Sequence, residues 1–134
     1  MKRTILAFVA GLAAWVILAS VLNRGLRALL AGYTAAEVQM HFTLGMMAAR
    51  LAIAVVSSLV AGGVVAAVAP SSTRVPWILG VILLAAFIPA HVTLWKNFPI
   101  WYHVIFLVTL VPLLVLGTRL EGWCRPSRAA VEPS

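Results

Sequence analysis

The chain has very few acidic side chains. It contains no aspartate, and its three glutamates are Glu37, Glu121 and Glu132. Catalysis by paired carboxylates needs two acidic groups that face one substrate, which this distribution excludes. A Ser-His-Asp triad is excluded as well, because Glu37 is the only acidic residue near the predicted positions of the histidines. We therefore predict that the protein is not an enzyme.

Charged residues of both signs are scarce. They make up 10% of the 134 residues, whereas hydrophobic residues make up 63%. A soluble domain typically carries about 25% charged residues, because its surface must face water. The composition therefore predicts an integral membrane protein in which much of the surface contacts lipid.

Four apolar segments have lengths close to the roughly 20 residues that cross a hydrocarbon core about 30 Å thick. Each is predicted to be helical, because a helix pairs its own backbone polar groups. The first segment has no good signal-peptidase site, so we expect it to remain as a helix. We predict an all-α bundle of four transmembrane helices over residues 1–118, with spans at about 4–22, 42–69, 76–95 and 99–117, and a short polar tail over 119–134.

The net charge of +7 comes from basic residues that flank the apolar segments. Flanking cations orient spans and contact lipid headgroups, so we expect the bilayer and no nucleic acid as a partner. A cytoplasmic N-terminus places six Lys and Arg residues on the cytoplasmic side and Arg24, Arg27 and Lys96 on the other, with Arg50 near its boundary. This count predicts that both termini are cytoplasmic. The preference for Arg over Lys favours a bacterial inner membrane as the location.

A helix start is predicted between the first two spans. Thr34 and Glu37 have the spacing of a capping box, in which Thr34 is the N-cap and Glu37 occupies N3. Tyr33 and Val38 stand where a hydrophobic staple would close over that cap. This pattern predicts one continuous second helix from about residue 35 to residue 69.

Small residues recur at four-residue spacing in the second span, at Ser58, Gly62 and Ala66. Such a stripe allows helix backbones to approach closely in a membrane. It can support either homodimerisation or packing within the bundle, and we favour packing within the bundle. A homo-oligomer or a membrane-protein partner remains an alternative.

Arg50 is the only basic residue that interrupts an apolar run. A cation within a span is costly and often has a function. The helical period places it on the same face as Ala54 and Ser57, which predicts that it points into the bundle. Its candidate partners are backbone carbonyl groups, the Tyr102 hydroxyl group, the Glu37 carboxylate and an anionic headgroup or ligand.

The three histidines, His41, His91 and His103, are all predicted at the end of the bundle opposite the termini. His91 and His103 lie at similar depth on either side of the last turn, so we group them with Arg50 and Tyr102 in one polar cluster. Converging imidazoles can bind a metal or haem or relay protons, but hydrogen-bonding histidines are the favoured interpretation. The single cysteine excludes a cysteine-based metal site. We predict no cofactor.

The size and four-span layout are similar to those of small multidrug-resistance transporters. Members of that family carry a membrane-embedded glutamate in the first helix, and residues 4–22 contain no acidic residue. The similarity therefore implies a layout and no function. We expect a non-enzymatic accessory protein that binds partners or lipids. The alternatives are an oligomeric small transporter or channel, and a membrane haem- or metal-binding protein.

Overall fold

The computed structural model describes residues 1–124, and these residues form five helices and no strand. The helices are α1 (Lys2–Leu29), α2 (Tyr33–Gln39), α3 (Leu44–Val68), α4 (Val75–Thr93) and α5 (Ile100–Cys124). All except the short α2 are long and apolar enough to cross a membrane. The predicted all-α bundle of four transmembrane helices is confirmed.

The four long helices pack in a ring. α3 makes its most extensive contacts with α5 and α1, and α4 completes the ring by packing on α5 and α1. One end of the bundle holds the start of α1, the turn between α3 and α4 and the end of α5. The opposite end, which we call the Arg50 end, holds α2, the start of α3 and the turn between α4 and α5.

The fully buried apolar core lies in the half of the bundle farther from Arg50. Its most deeply buried side chains are Ala7, Ala61, Val65, Leu79 and Leu114, each with 0% exposure. These residues come from all four long helices. The other half, at the Arg50 end, contains the polar cluster and the cavities described below.

The closest helix approach joins α3 to α5 at Gly62 and Gly117. A Cβ atom on Gly62 would overlap the Leu114 carbonyl oxygen and would lie 3.1 Å from the Gly117 Cα atom. Ser58, one turn earlier, accepts a hydrogen bond from Trp15 of α1 at 3.1 Å. Ala66, one turn later, is half-buried. The small-residue stripe therefore packs against two neighbouring helices of the same chain.

The predicted continuous second helix is wrong, because the chain breaks between α2 and α3. Met40 ends α2 with φ of 54°, in the left-handed region. Thr43 then acts as the N-cap of α3, and its side chain accepts a hydrogen bond from the Met46 N–H at 3.3 Å. A capping side chain that satisfies the first N–H groups of a helix favours a new start at this position.

The predicted capping box is also wrong. Gly32, with φ of 80°, precedes α2, so Thr34 lies inside the helix and is exposed. The Glu37 carboxylate accepts a hydrogen bond from Arg27 Nε at 2.7 Å. A charge-assisted bond to a guanidinium group is about twice as strong as a neutral hydrogen bond, so Arg27 takes the carboxylate that the capping box required.

Two helix ends extend beyond the predicted spans. α1 continues to Leu29, so Arg24 and Arg27 lie in its last turns and not in a connecting loop. Basic residues are favourable near a helix C-terminus, where the helix dipole is negative. α5 continues to Cys124, so residues 119–124 of the predicted tail are helical. The remainder of that tail, 125–134, lies outside the described residues.

Candidate functional site

Arg50 lies in the second turn of α3, and its side chain is 29% exposed. Its Nη1 atom donates a hydrogen bond to the Tyr33 hydroxyl oxygen at 2.9 Å. Its Nε atom donates to the Tyr102 hydroxyl oxygen at 3.4 Å. The Glu37 Oε1 atom is 3.7 Å from Nη1, an ion pair without a hydrogen bond. Arg50 therefore points inward, and two of its predicted candidate partners, Tyr102 and Glu37, lie beside it.

Aromatic rings cover one side of the Arg50 guanidinium group. Its central carbon is 5.0 Å from the centre of the Phe42 ring and 5.9 Å from that of Phe98. Phe98 in turn stacks on both Phe42 and Tyr102, with centroid distances of 5.1 and 4.6 Å. A cation near an aromatic face is stabilised by the ring quadrupole. Phe42, in the link before α3, and Phe98, in the turn before α5, thus both stabilise the Arg50 cation.

Glu37 is shared by two guanidinium groups. Its two carboxylate oxygens lie 2.7 Å from Arg27 Nε and 3.4 Å from Arg27 Nη2, which makes Arg27 its closer partner. Asn23 Nδ2 is 3.5 Å from Oε1, and Asn23 Oδ1 accepts a hydrogen bond from the Tyr33 hydroxyl group at 3.0 Å. One carboxylate therefore serves two cations, and the cluster carries one excess positive charge.

The Arg50 guanidinium group keeps donors that this network does not use. An arginine has five N–H donors, and the described contacts of Arg50 involve only Nε and Nη1. Within residues 1–124, the fully buried side-chain polar atoms that lack a hydrogen-bond partner are Ser57 Oγ and His103 Nε2. Nη2 of Arg50 is not one of them. The described contacts of Arg50 therefore leave Nη2 without a partner, and Arg50 borders the adjoining cavities.

Arg50 lines three neighbouring cavities, and the largest has a volume of about 280 Å³. This cavity lies between all four long helices and is bordered by Trp15, Val16, Ala19, Ser20, Asn23, Arg50, Ile53, Ala54, Phe87, Tyr102 and Phe106. Val16 is 48% exposed and Ser20 is exposed, so the cavity reaches the outer surface of the bundle beside α1.

The inner boundary of this cavity is formed by Trp15 and its neighbours. Trp15 is 7% exposed and donates its indole N–H to Ser58. Phe87 packs against Trp15 with a centroid distance of 5.1 Å and against Phe106 at 5.0 Å. Beyond these rings lies the closed core, so the cavity is a recess that opens sideways and ends near the middle of the bundle.

His91 of α4 and His103 of α5 form a direct contact, with 2.6 Å between their Nδ1 atoms. Both are buried, at 8% and 1% exposure, and Trp95 stacks on His103 at 4.8 Å. A neutral imidazole has one donor and one acceptor nitrogen, so one ring donates to the other. The pair shares a cavity of about 100 Å³ with Arg50 and Tyr102. The four residues of the predicted cluster therefore line one space.

The three histidines do not converge. His41 is exposed in the link between α2 and α3, and residues 1–124 contain no group of three or more His, Cys, Asp and Glu residues that would hold a metal ion. A metal binds imidazole nitrogens at about 2.0–2.1 Å, so two ligands of one tetrahedral ion lie about 3.4 Å apart. The 2.6 Å contact between His91 and His103 is instead the length of a hydrogen bond.

Tyr33 and Asn23 belong to the site, although the sequence analysis did not place them there. The sequence pattern assigned Tyr33 to a hydrophobic staple, but its ring is fully buried and its hydroxyl group bonds to Arg50 and Asn23. A buried tyrosine usually places its hydroxyl group on a polar partner. Asn23 directly follows the predicted first span, and its amide is a polar group that the sequence analysis did not connect with Arg50.

Comparison of the chain with protein-family models, with curated proteins and with solved structures gives no match. The functional interpretation therefore rests on the geometry of Arg50, its partners and the cavity that they border.

Proposed function

We propose that the protein is a non-enzymatic accessory protein of the membrane that binds an anionic lipid at its Arg50 end. The observation that carries this proposal is the Arg50 side chain, which borders a cavity of about 280 Å³ that opens beside Val16 and Ser20. A guanidinium group stays charged in proteins and needs acceptors for its donors. A lipid headgroup can supply an acceptor to Nη2 while the acyl region occupies the apolar recess.

The distribution of charge supports an anionic partner. At the Arg50 end, the described residues include the four basic side chains Arg24, Arg27, Arg50 and Lys96, but Glu37 is the single acidic one. Clustered charge of one sign raises the local concentration of counter-ions. Basic residues beside a membrane surface attract anionic lipids in the same way.

The shape of the cavity favours a binding role over transport by a single chain. Its inner boundary at Trp15 is followed by fully buried core residues such as Ala61 and Val65. A transporter or channel would therefore need a passage between copies of the chain or a large rearrangement of this core. A metal or haem role would require His91 and His103 to separate from their direct contact.

The proposal includes an orientation. With both termini in the cytoplasm of a bacterium, the Arg50 end faces the periplasm and the cavity opens into the outer leaflet of the inner membrane. In the sequence, six Lys and Arg residues are predicted on the side of the termini and three or four on the other side, and this count supports the orientation. An anionic lipid of that leaflet is then the natural partner.

Native mass spectrometry with defined lipids tests the proposal. The detergent-purified protein should retain phosphatidylglycerol in preference to phosphatidylcholine, and Arg50→Gln should abolish this preference. Arg24→Gln is the matched control, because Arg24 is exposed at the same end and does not border the cavity. Equal retention of the two lipids by the wild-type protein, or an unchanged preference in Arg50→Gln, would contradict the proposal.

A further inference from the structure

We infer that the natural ligand is a single-chain amphiphile with one carboxylate group, a long-chain fatty acid or a close analogue. Its carboxylate binds Arg50 and Asn23, and its chain extends through the cavity toward Trp15. This inference rests on the proposed function and narrows its ligand to one chemical class. It is carried by the charge of the cluster, the geometry of the free donors and the size of the recess.

The cluster of Arg27, Arg50 and Glu37 carries one excess positive charge, which a ligand with one negative charge would neutralise. Glu37 lies 2.7 Å from Arg27 but 3.7 Å from Arg50, so it pairs mainly with Arg27. A bound carboxylate would neutralise Arg50 and leave the pair between Arg27 and Glu37 intact. A phosphate monoester carries about −1.5 to −2 charge at neutral pH, which exceeds the single uncompensated cation.

The donors at the cavity match a carboxylate. Nε and Nη1 of Arg50 already donate to Tyr102 and Tyr33, whereas Nη2 has no partner among the described contacts and can donate to a carboxylate oxygen. Asn23 also borders the cavity, and its Nδ2 atom makes only a long contact, at 3.5 Å, with Glu37. Rotation of this amide toward the cavity would give a second donor from α1, at the loss of the 3.0 Å hydrogen bond that Asn23 Oδ1 accepts from Tyr33.

The recess has room for one acyl chain. Its walls beyond Arg50 and Asn23 are mainly apolar and aromatic, including Ile53, Phe87 and Phe106. Its volume of about 280 Å³ lies just below the roughly 300–1,000 Å³ of ligand-binding pockets. One acyl chain can occupy the recess, and the second chain of a two-chain lipid would have to remain in the bilayer outside the opening beside Val16 and Ser20.

Quenching of Trp15 fluorescence by a bromine-labelled fatty acid provides a direct test. Trp15 forms the inner boundary of the recess, and the difference between the wild-type protein and Trp15→Phe isolates its signal from those of the four other tryptophans. In mildly alkaline buffer we expect saturable quenching by the acid. The alcohol and the trimethylammonium compound with the same labelled chain should need concentrations about tenfold higher or more, because they lack the charged hydrogen bond to Arg50.

Variants locate the binding mode. Arg50→Gln should raise the apparent Kd of the fatty acid about tenfold, because it removes the charged donor. Ser20→Leu should also weaken binding, because it narrows the opening without altering the polar cluster. Arg24→Gln should leave the Kd unchanged. Circular dichroism and size-exclusion chromatography establish that each variant is folded, and the comparison of acid with alcohol requires no variant of Arg50.

The outcomes separate this inference from the proposed function. If labelled phosphatidylglycerol quenches Trp15 in an Arg50-dependent manner but the fatty acid does not, the inference is overturned and the proposed function stands. Tighter binding of an alkyl phosphate than of the acid would overturn the monoanion argument. Equal quenching by acid, alcohol and phosphatidylglycerol would show partitioning without recognition, and both proposals would fall.

Discussion

Substitution of Gly62 by alanine perturbs the closest approach between α3 and α5. The added Cβ atom would overlap the Leu114 carbonyl oxygen, lie 3.0 Å from its carbonyl carbon and lie 3.1 Å from the Gly117 Cα atom. All three are backbone atoms, so no side-chain rotation can make room. The two helices would have to separate, and the contacts of the buried Leu110 and Leu114 side chains would loosen with them.

Two opposing effects determine how much Gly62→Ala changes the free energy of unfolding. Overpacking of a well-packed interior typically costs about 1–3 kcal/mol. Replacement of glycine by alanine within a helix can return up to about 1 kcal/mol through helix propensity. Gly63→Ala controls for this second effect, because it lies in the same helix and its Cβ would meet only the Gly117 carbonyl oxygen at 3.9 Å. We expect Gly62→Ala to be about 1–3 kcal/mol less stable than Gly63→Ala.

The assay is equilibrium unfolding in mixed detergent micelles, with increasing sodium dodecyl sulfate and far-ultraviolet circular dichroism as the readout. Gly117→Ala should behave like Gly62→Ala, because its Cβ would overlap the Leu59 carbonyl oxygen from the opposite side. If Gly62→Ala and Gly63→Ala unfold at the same detergent fraction, the two helix backbones do not touch at Gly62 and the packing argument is refuted.

Three further predictions concern buried hydrogen bonds and orientation. Ser58→Ala should destabilise the bundle by about 1–3 kcal/mol in the same unfolding assay, because the Trp15 indole N–H loses its acceptor. Ser57→Ala is the control: it removes a buried hydroxyl group without a partner and should be neutral or stabilising. His91→Leu alone should destabilise the bundle more than His91→Leu combined with His103→Leu, because the single change leaves both nitrogens of the buried His103 ring unpaired. If the destabilisations of the two single variants add up in the double variant, the contact is not a hydrogen bond. Reporter fusions at the C-terminus and in the loop between α1 and α2 should report opposite sides of the membrane, and a periplasmic C-terminus would reverse the proposed orientation.

Helix ends were the least predictable part of the fold. The Thr34–Glu37 spacing is a local signal for a helix start, but Glu37 pairs with Arg27, which lies ten residues earlier in the chain. Thr43 carries the cap that α3 uses, and no glutamate or glutamine follows it at the spacing of a capping box. Local spacing therefore indicated one helix start, at Thr34, whereas the chain begins one helix at Tyr33 and a second at Leu44.

Some properties of this protein follow from the order and type of its residues alone. Four apolar runs must be helical in lipid, because nothing else in the hydrocarbon can pair their backbone groups. A cation such as Arg50 within one run must turn away from lipid, because its charge is costly there. These conclusions need no knowledge of neighbouring helices, and the structure agrees with both.

Which side chains contact Arg50 and His91 depends on how the helices pack. Tyr33 reaches Arg50 because Gly32 and Met40 allow the chain to turn on either side of α2, which folds this short helix back over the bundle. The sequence predicted that His91 and His103 lie at similar depth on either side of the turn between α4 and α5, but their direct contact depends on which faces of the two helices meet. Such contacts are set by helix crossings and turn geometry, which act over distances that no sequence spacing records.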